Sequence, residues 1–103
     1  MHVTRSSQRP LLDSGVPGIE RGRVWDAGHG VAVEFCRMES GAVYPKHSHR
    51  FWEQMFVIDG RIDVDGAVLE EGDFAFTEPG EFHEVRALAE SVLLLSFGRP
   101  PHS

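Results

Sequence analysis

Two imidazoles and a carboxylate crowd into one short stretch of this 103-residue chain, Gly41-Ala-Val-Tyr-Pro-Lys-His47-Ser-His49-Arg-Phe-Trp-Glu53-Gln-Met-Phe-Val-Ile-Asp-Gly60. Successive side chains on an extended segment point to opposite faces. His47, His49 and Glu53 share one parity, so they are predicted to point inward together, with Met55 and Val57 carrying the same face on as an apolar lining. Ser48 and Gln54 fall on the other face, as do Lys46 and Arg50. Arg50-Phe51-Trp52 is where a bend would break that count. Imidazole and carboxylate donors on one face suit a borderline divalent transition metal. Gln54, next to Glu53, is the alternative fourth donor.

A third histidine, His83, follows a second turn-rich stretch, Gly72-Asp-Phe-Ala-Phe-Thr-Glu-Pro79-Gly80-Glu-Phe-His83. It completes a set of three imidazoles and one carboxylate. Four donors on a six-coordinate ion leave positions for water, substrate or dioxygen. A divalent ion so held keeps about one net positive charge, enough to polarise a carbonyl or enolate oxygen or to acidify bound water. The donor types do not select among iron, manganese, nickel, zinc and copper, because geometry and availability decide that more than ligand type does.

The elements that must position these residues read as short strands. Candidates cover residues 23–26, 31–39, 43–45, 53–58, 61–64, 67–70, 74–77, 83–87 and 91–97, punctuated by glycine-containing turns. Asp65-Gly66 between two alternating segments predicts a two-residue hairpin. Residues 86–90 hold helix formers but are too few to make a helix. Many short strands with regular turns imply an all-β antiparallel sandwich or barrel, whose closure also removes exposed edges. Residues 1–18, with Pro10, Gly15, Pro17 and Gly18, are expected to form an irregular arm, residues 19–98 the barrel and residues 99–103 a flexible tail. His102 in that tail is not expected to be a ligand.

Composition narrows the partners. The length suits one domain, and 41% hydrophobic with 25% charged residues is ordinary for a soluble globular protein. The net charge of -6 and scattered basic residues argue against nucleic acid. Apolar runs such as Val92-Leu93-Leu94-Leu95 fall far below the roughly 20 residues of a membrane span. Residues 1–5 lack an apolar signal core, and the single cysteine, Cys36, excludes an internal disulfide; a reducing cytoplasmic compartment is the expectation.

The two stretches resemble the cupin family. Its first motif is Gly, five residues, His-x-His, three or four residues, Glu, six residues, Gly; Gly41, His47, His49, Glu53 and Gly60 match every fixed position. Its second is Gly, five to seven residues, Pro-x-Gly, two residues, His, three residues, Asn; Gly72, Gly80 and His83 match. Two positions depart: the proline, Pro79, sits directly before Gly80, and Ala87 stands where the motif has Asn. The resemblance spans residues 31–97. It implies a six- to eight-stranded antiparallel cupin barrel, or jelly roll, with one divalent metal inside on His47, His49, Glu53 and His83. It also implies a homodimer. Some small cupins take their ligand one place later, at the Gln54 position; counting back from Gly60 selects Glu53.

The activities the resemblance implies are those of a metal-dependent enzyme on a small oxygenated organic molecule, of oxygenase, isomerase, lyase or cyclase type. The alternative is a non-catalytic ligand- or metal-sensing module. A barrel without function is disfavoured, because burying these donors without a metal or hydrogen bonds is costly. No residue is assigned a catalytic role, and no nucleophile elbow or phosphate loop offers competing chemistry. Cys36 is expected to be a buried strand residue, Met55 a pocket wall, Trp52 a cap or interface residue, Trp25 a packing residue and His29 exposed. Arg37 and Arg61 are candidate anchors for a substrate carboxylate, and Glu81 or Glu84 a partner orienting a histidine.

Overall fold

A computed structural model describes residues 1–99. The alternation seen in the sequence is realised almost residue by residue. In β3 (Val31–Met38) Ala32, Glu34, Cys36 and Met38 are buried and their neighbours are not. β5 (Trp52–Asp59), β9 (His83–Ala87) and β10 (Ser91–Gly98) show the same period of two. The remaining strands are β1 (Leu12–Asp13), β2 (Ile19–Gly28), β4 (Val43–His47), β6 (Arg61–Val64), β7 (Ala67–Glu70) and β8 (Phe74–Thr77). No α-helix occurs among the described residues, only a single 3-10 turn at Ser6–Gln8.

The strands form two antiparallel sheets, ordered β1-β2-β3-β10-β5-β8 and β4-β9-β6-β7. The two sheets are not closed into a continuous cylinder, and the architecture is that of the cupin jelly roll. Ten strands appear where six to eight were implied; one of the extra ones is the two-residue β1, inside the arm expected to be irregular. β2 starts four residues earlier than its predicted segment, at Ile19. All of the predicted tail except Arg99 lies outside the described residues, His102 included.

The inward faces enclose a core of Ile19, Cys36, Met38, Met55, Val57, Ile62, Val85, Ala87, Leu93 and Leu95. Burying each large aliphatic side chain stabilises the fold by about 1.5–3 kcal/mol, so this shared core holds the sheets together. Two turns fix the register. Asp65 and Gly66 both take positive φ, 50° and 94°, as a two-residue hairpin between β6 and β7 requires. Gly60, at φ 95°, ends β5 where a Cβ would lie 2.3 Å from Ser91 Oγ and 2.4 Å from the Glu90 carbonyl oxygen. Only glycine fits there.

Candidate metal centre

β4 and β5 belong to different sheets, so His47, His49 and Glu53 do not share one strand. His47 ends β4, His49 lies in the crossing at residues 48–51, and Glu53 is the second residue of β5. The predicted bend is therefore the passage from one sheet to the other. The three side chains still converge, because β5 turns Glu53, Met55 and Val57 inward and a register shift in β4 between Tyr44 and His47 brings His47 to the same cavity. His83 opens β9 directly opposite His47 on β4. The Gly80 amide donates to the His49 carbonyl at 2.9 Å, tying the turn before His83 to the crossing that carries His49.

The four donors meet at close range. His47 Nε2 is 3.1 Å from His49 Nε2 and 3.3 Å from His83 Nε2. Glu53 reaches His83 Nε2 with Oε1 at 3.3 Å and His49 Nε2 with Oε2 at 3.5 Å. An ion with bonds of about 2.1 Å holds neighbouring ligands roughly 3.0–3.4 Å apart. His47, His49 and His83 form a group spaced to hold a metal ion. Glu53 is 3% exposed, and its Oε1 has no hydrogen-bond partner among the described residues. A buried carboxylate in that condition is costly unless a cation joins it. The residues present thus fit a divalent ion. Gln54 takes the opposite parity and does not line the cavity.

Neighbouring groups orient the imidazoles. His47 Nδ1 lies 2.6 Å from the Pro45 carbonyl oxygen. That oxygen only accepts, so Nδ1 carries the proton and Nε2 presents its lone pair to the cluster. His83 Nδ1 lies 3.2 Å from the Thr77 hydroxyl, which anchors the ring through that nitrogen and leaves Nε2 toward the cluster. Burial holds the His47 imidazole below the usual histidine range, with the Pro45 carbonyl acting the other way. A neutral imidazole is the form that binds metal. Thr77 and Pro45 went unseen in the sequence; of Glu81 and Glu84, proposed for this role, Glu81 is exposed and the Glu84 side chain pairs with Arg86. Nothing local marks Thr77, whose contact depends on β8 and β9 meeting across the interior.

The donors open onto a small cavity between the sheets, walled by Met38, Met55, Val85, Leu93 and Leu95 and bordered by Arg21, Cys36 and Tyr44. Met55 is a wall, as its parity predicts. Cys36 is buried beside them, and burial pushes its thiol up to about 11, so it is no nucleophile near neutral pH. Lys46, Arg50 and His29 are exposed, as expected. Arg37 and Arg61 do not reach the cavity: Arg37 is tied at the surface to Glu20 and Glu90, and Arg61 is exposed. The arginine that does reach it is Arg21. Trp52 donates its indole N–H to the Arg99 carbonyl and lies beside Phe76, while Trp25 is 40% exposed rather than packed away.

Comparison with known proteins places this geometry. No curated protein sequence matches the chain. Among solved structures, an RmlC-like cupin from Shewanella frigidimarina superposes with a TM-score of 0.85 at 24% identity, covering 99% of this chain and 94% of its own. KdgF from Halomonas sp. gives 0.84 at 22% identity, covering 98% and 96%. The anti-sigma factor ChrR of Rhodobacter sphaeroides, solved in complex with SigE, gives 0.78 at 18% identity over 91% of this chain and 51% of that one. An acetylacetone dioxygenase and the polyketide cyclase RemF share the fold. The family of ChrR cupin-like domains matches residues 1–101. This chain belongs to that cupin family.

Proposed function

We propose that the chain is a metal-dependent enzyme that holds one divalent transition ion on His47, His49, Glu53 and His83 and acts on a small oxygenated organic molecule in the cavity between its sheets. The observation that carries this reading is Glu53, a buried carboxylate with an unpartnered oxygen, facing the ring nitrogens of His49 and His83 beside His47. A bound divalent ion would supply Lewis acidity toward a carbonyl or enolate oxygen, or an acidified water. The chain's own residues do the rest. Pro45 holds His47 in the metal-binding tautomer, and Thr77 anchors the ring of His83. Met55, Val85, Leu93 and Leu95 keep water from the donors on the inner side. That three quite different activities share this fold supports an enzyme without selecting its reaction.

Metal analysis of the purified chain after metal-supplemented expression tests the reading. About one equivalent is expected, falling sharply in His49→Ala. Less than about 0.1 equivalents, with no uptake on adding iron, manganese, nickel, zinc or copper, would sink it. Oxygen consumption across diketones, phenols and thiols then separates oxygenase from the other reaction types.

The ChrR relationship favours a second reading, a metal- or ligand-sensing module. It predicts tight ligand binding without turnover. The same proposal extends to a homodimer in the cytoplasm with a small-molecule partner and neither nucleic acid nor membrane. A net charge of -6 supports the lack of nucleic acid, and no helix of the described residues is long and apolar enough to cross a membrane. Phe56, Phe74 and Phe76, exposed on the outer face of the larger sheet, support an interface. Sedimentation would show it, and Phe74→Lys is expected to shift the chain to a monomer.

A further inference from the structure

Across the cavity from the histidines sits a charged pair that the metal site does not use. Arg21 on β2 lies directly opposite Cys36 on β3 and shares its inward face. Its guanidinium is 24% exposed, at the rim of the cavity that the four donors line. Arg21 Nη1 donates to the Tyr44 hydroxyl at 2.9 Å, and Nη2 lies 2.5 Å from Glu34 Oε2. Guanidinium carries five N–H donors. The Nε donor is buried and has no acceptor among the described residues. The Tyr44 hydroxyl, accepting from Arg21, keeps its own proton to give. The Tyr44 ring stands 4.7 Å from the His47 ring, centroid to centroid, so the step from guanidinium to metal donors is one aromatic ring.

Charge says what fits between them. With a divalent ion in place, Glu53 and Glu34 cancel two of the three positive charges brought by the ion and Arg21. Arg23 is matched in turn by Asp26. One positive charge remains in a largely apolar cavity, where an uncompensated charge is costly. We infer that Arg21 and Tyr44 form the recognition subsite for a small organic monoanion, its carboxylate or enolate oxygen held by the Arg21 guanidinium and the Tyr44 hydroxyl while a second oxygen faces His47, His49, Glu53 and His83. This rests on the metal-dependent reading above and narrows its substrate to an acid.

The plainer role for Arg21 is to lock β2 to β3 through Glu34, so the test needs a readout that a lock would not move. Cobalt-loaded protein is titrated with pyruvate and acetoacetate and with their uncharged amides, binding being read from the visible cobalt spectrum and by calorimetry. The wild-type chain is expected to bind at least one acid about ten-fold more tightly than its amide, the size of a charge-assisted hydrogen bond. Arg21→Gln is expected to lose that preference at unchanged cobalt content, with amide affinity kept. If Arg21→Gln does not fold, Tyr44→Phe leaves the ion pair intact and is expected to weaken acid binding about three-fold. Acid and amide binding alike to wild type, or an undiminished preference in either folded variant, overturns the inference. A chain that takes up no metal overturns the metal reading and this one together. A chain that takes up metal and ignores ligand charge overturns this one alone.

Discussion

Glu34 and Glu53 are both buried glutamates on inward-facing strand positions, 6% and 3% exposed, and they are provided for in opposite ways. Glu34 sits between two guanidinium groups: Arg23 Nε donates to its Oε1 at 2.8 Å and Arg21 Nη2 meets its Oε2 at 2.5 Å. Arginine stays charged at any relevant pH, and with Asp26 also paired to Arg23 the cluster holds two positive and two negative charges. Glu53 faces only imidazole nitrogens, His83 at 3.3 Å and His49 at 3.5 Å, beside His47, whose Nδ1 is held by the Pro45 carbonyl so that Nε2 presents its lone pair. The first carboxylate is a finished ion cluster. The second is half of one, and a cation supplies the other half.

The largest predicted difference is in metal. His83→Ala or Glu53→Ala is expected to weaken metal binding at least about 100-fold, beyond the 10–100-fold typical of supporting residues. Glu34→Gln should leave stoichiometry near one equivalent. Metal analysis and competition with a chelator decide it; a Glu34 variant that loses metal as completely as a Glu53 variant breaks the comparison.

Stability of the metal-free chain should invert that order. Glu34→Gln leaves Arg21 without a carboxylate and Arg23 with Asp26 alone. Removing one partner of a buried pair costs about 3–5 kcal/mol. Arg21 is a quarter exposed and Arg23 half exposed, so screening reduces the expectation to about 2 kcal/mol. Glu53→Gln removes a buried charge that has no cation, and should leave metal-free stability unchanged or raised. Denaturant unfolding in the presence of chelator measures both. Destabilisation of similar size in the two variants would mean that Glu53 is a structural residue.

The two carboxylates were not equally legible. Glu53 shares parity with His47 and His49 and stands at the motif spacing from Gly60, and its inward position held even though the chain changes sheets at residues 48–51. His83 was legible because the Pro79-Gly80 turn sets where β9 begins. Glu34 and Arg21 were not, because the start of β2, Ile19-Glu20-Arg21-Gly22, puts an arginine and a glycine where a strand signal expects apolar residues. Strand pairing supplies what the local pattern lacks: Arg23 stands opposite Glu34 only once β2 pairs with β3. Arg37 and Arg61 looked equivalent to Arg21 as isolated arginines, and only the register separates them. Thr77 likewise becomes a histidine partner through a contact between the two sheets that no spacing encodes.

Thr77 offers a smaller perturbation on the Glu53 side. Thr77→Val keeps the shape and removes the hydrogen-bond partner of His83 Nδ1, so the ring loses its anchor. Metal affinity is expected to fall about ten-fold, with His83 still a ligand. An unchanged affinity would show that β9 alone orients the ring.

The smallest effect is on pH dependence, and it sharpens the contrast without touching a carboxylate. Burial holds His47 below its ordinary value of 6.5 in the folded chain. Folding therefore favours its neutral form. That contribution is fully present above the unfolded value and is lost as pH falls through the folded one, since the unfolded chain then binds more protons. The metal-free chain should lose stability on going from about pH 7.5 to about pH 5.5, and His47→Gln should lose less over the same interval. Glu34 and its arginines sit across the cavity from this titration, so Glu34→Gln should lower stability at both pH values while leaving the slope between them as in wild type. Chelator-treated melts of the three proteins at two pH values read this directly. A slope that follows Glu34 instead of His47 would mean that the two clusters are coupled, and that the cavity responds to acid as one charged unit.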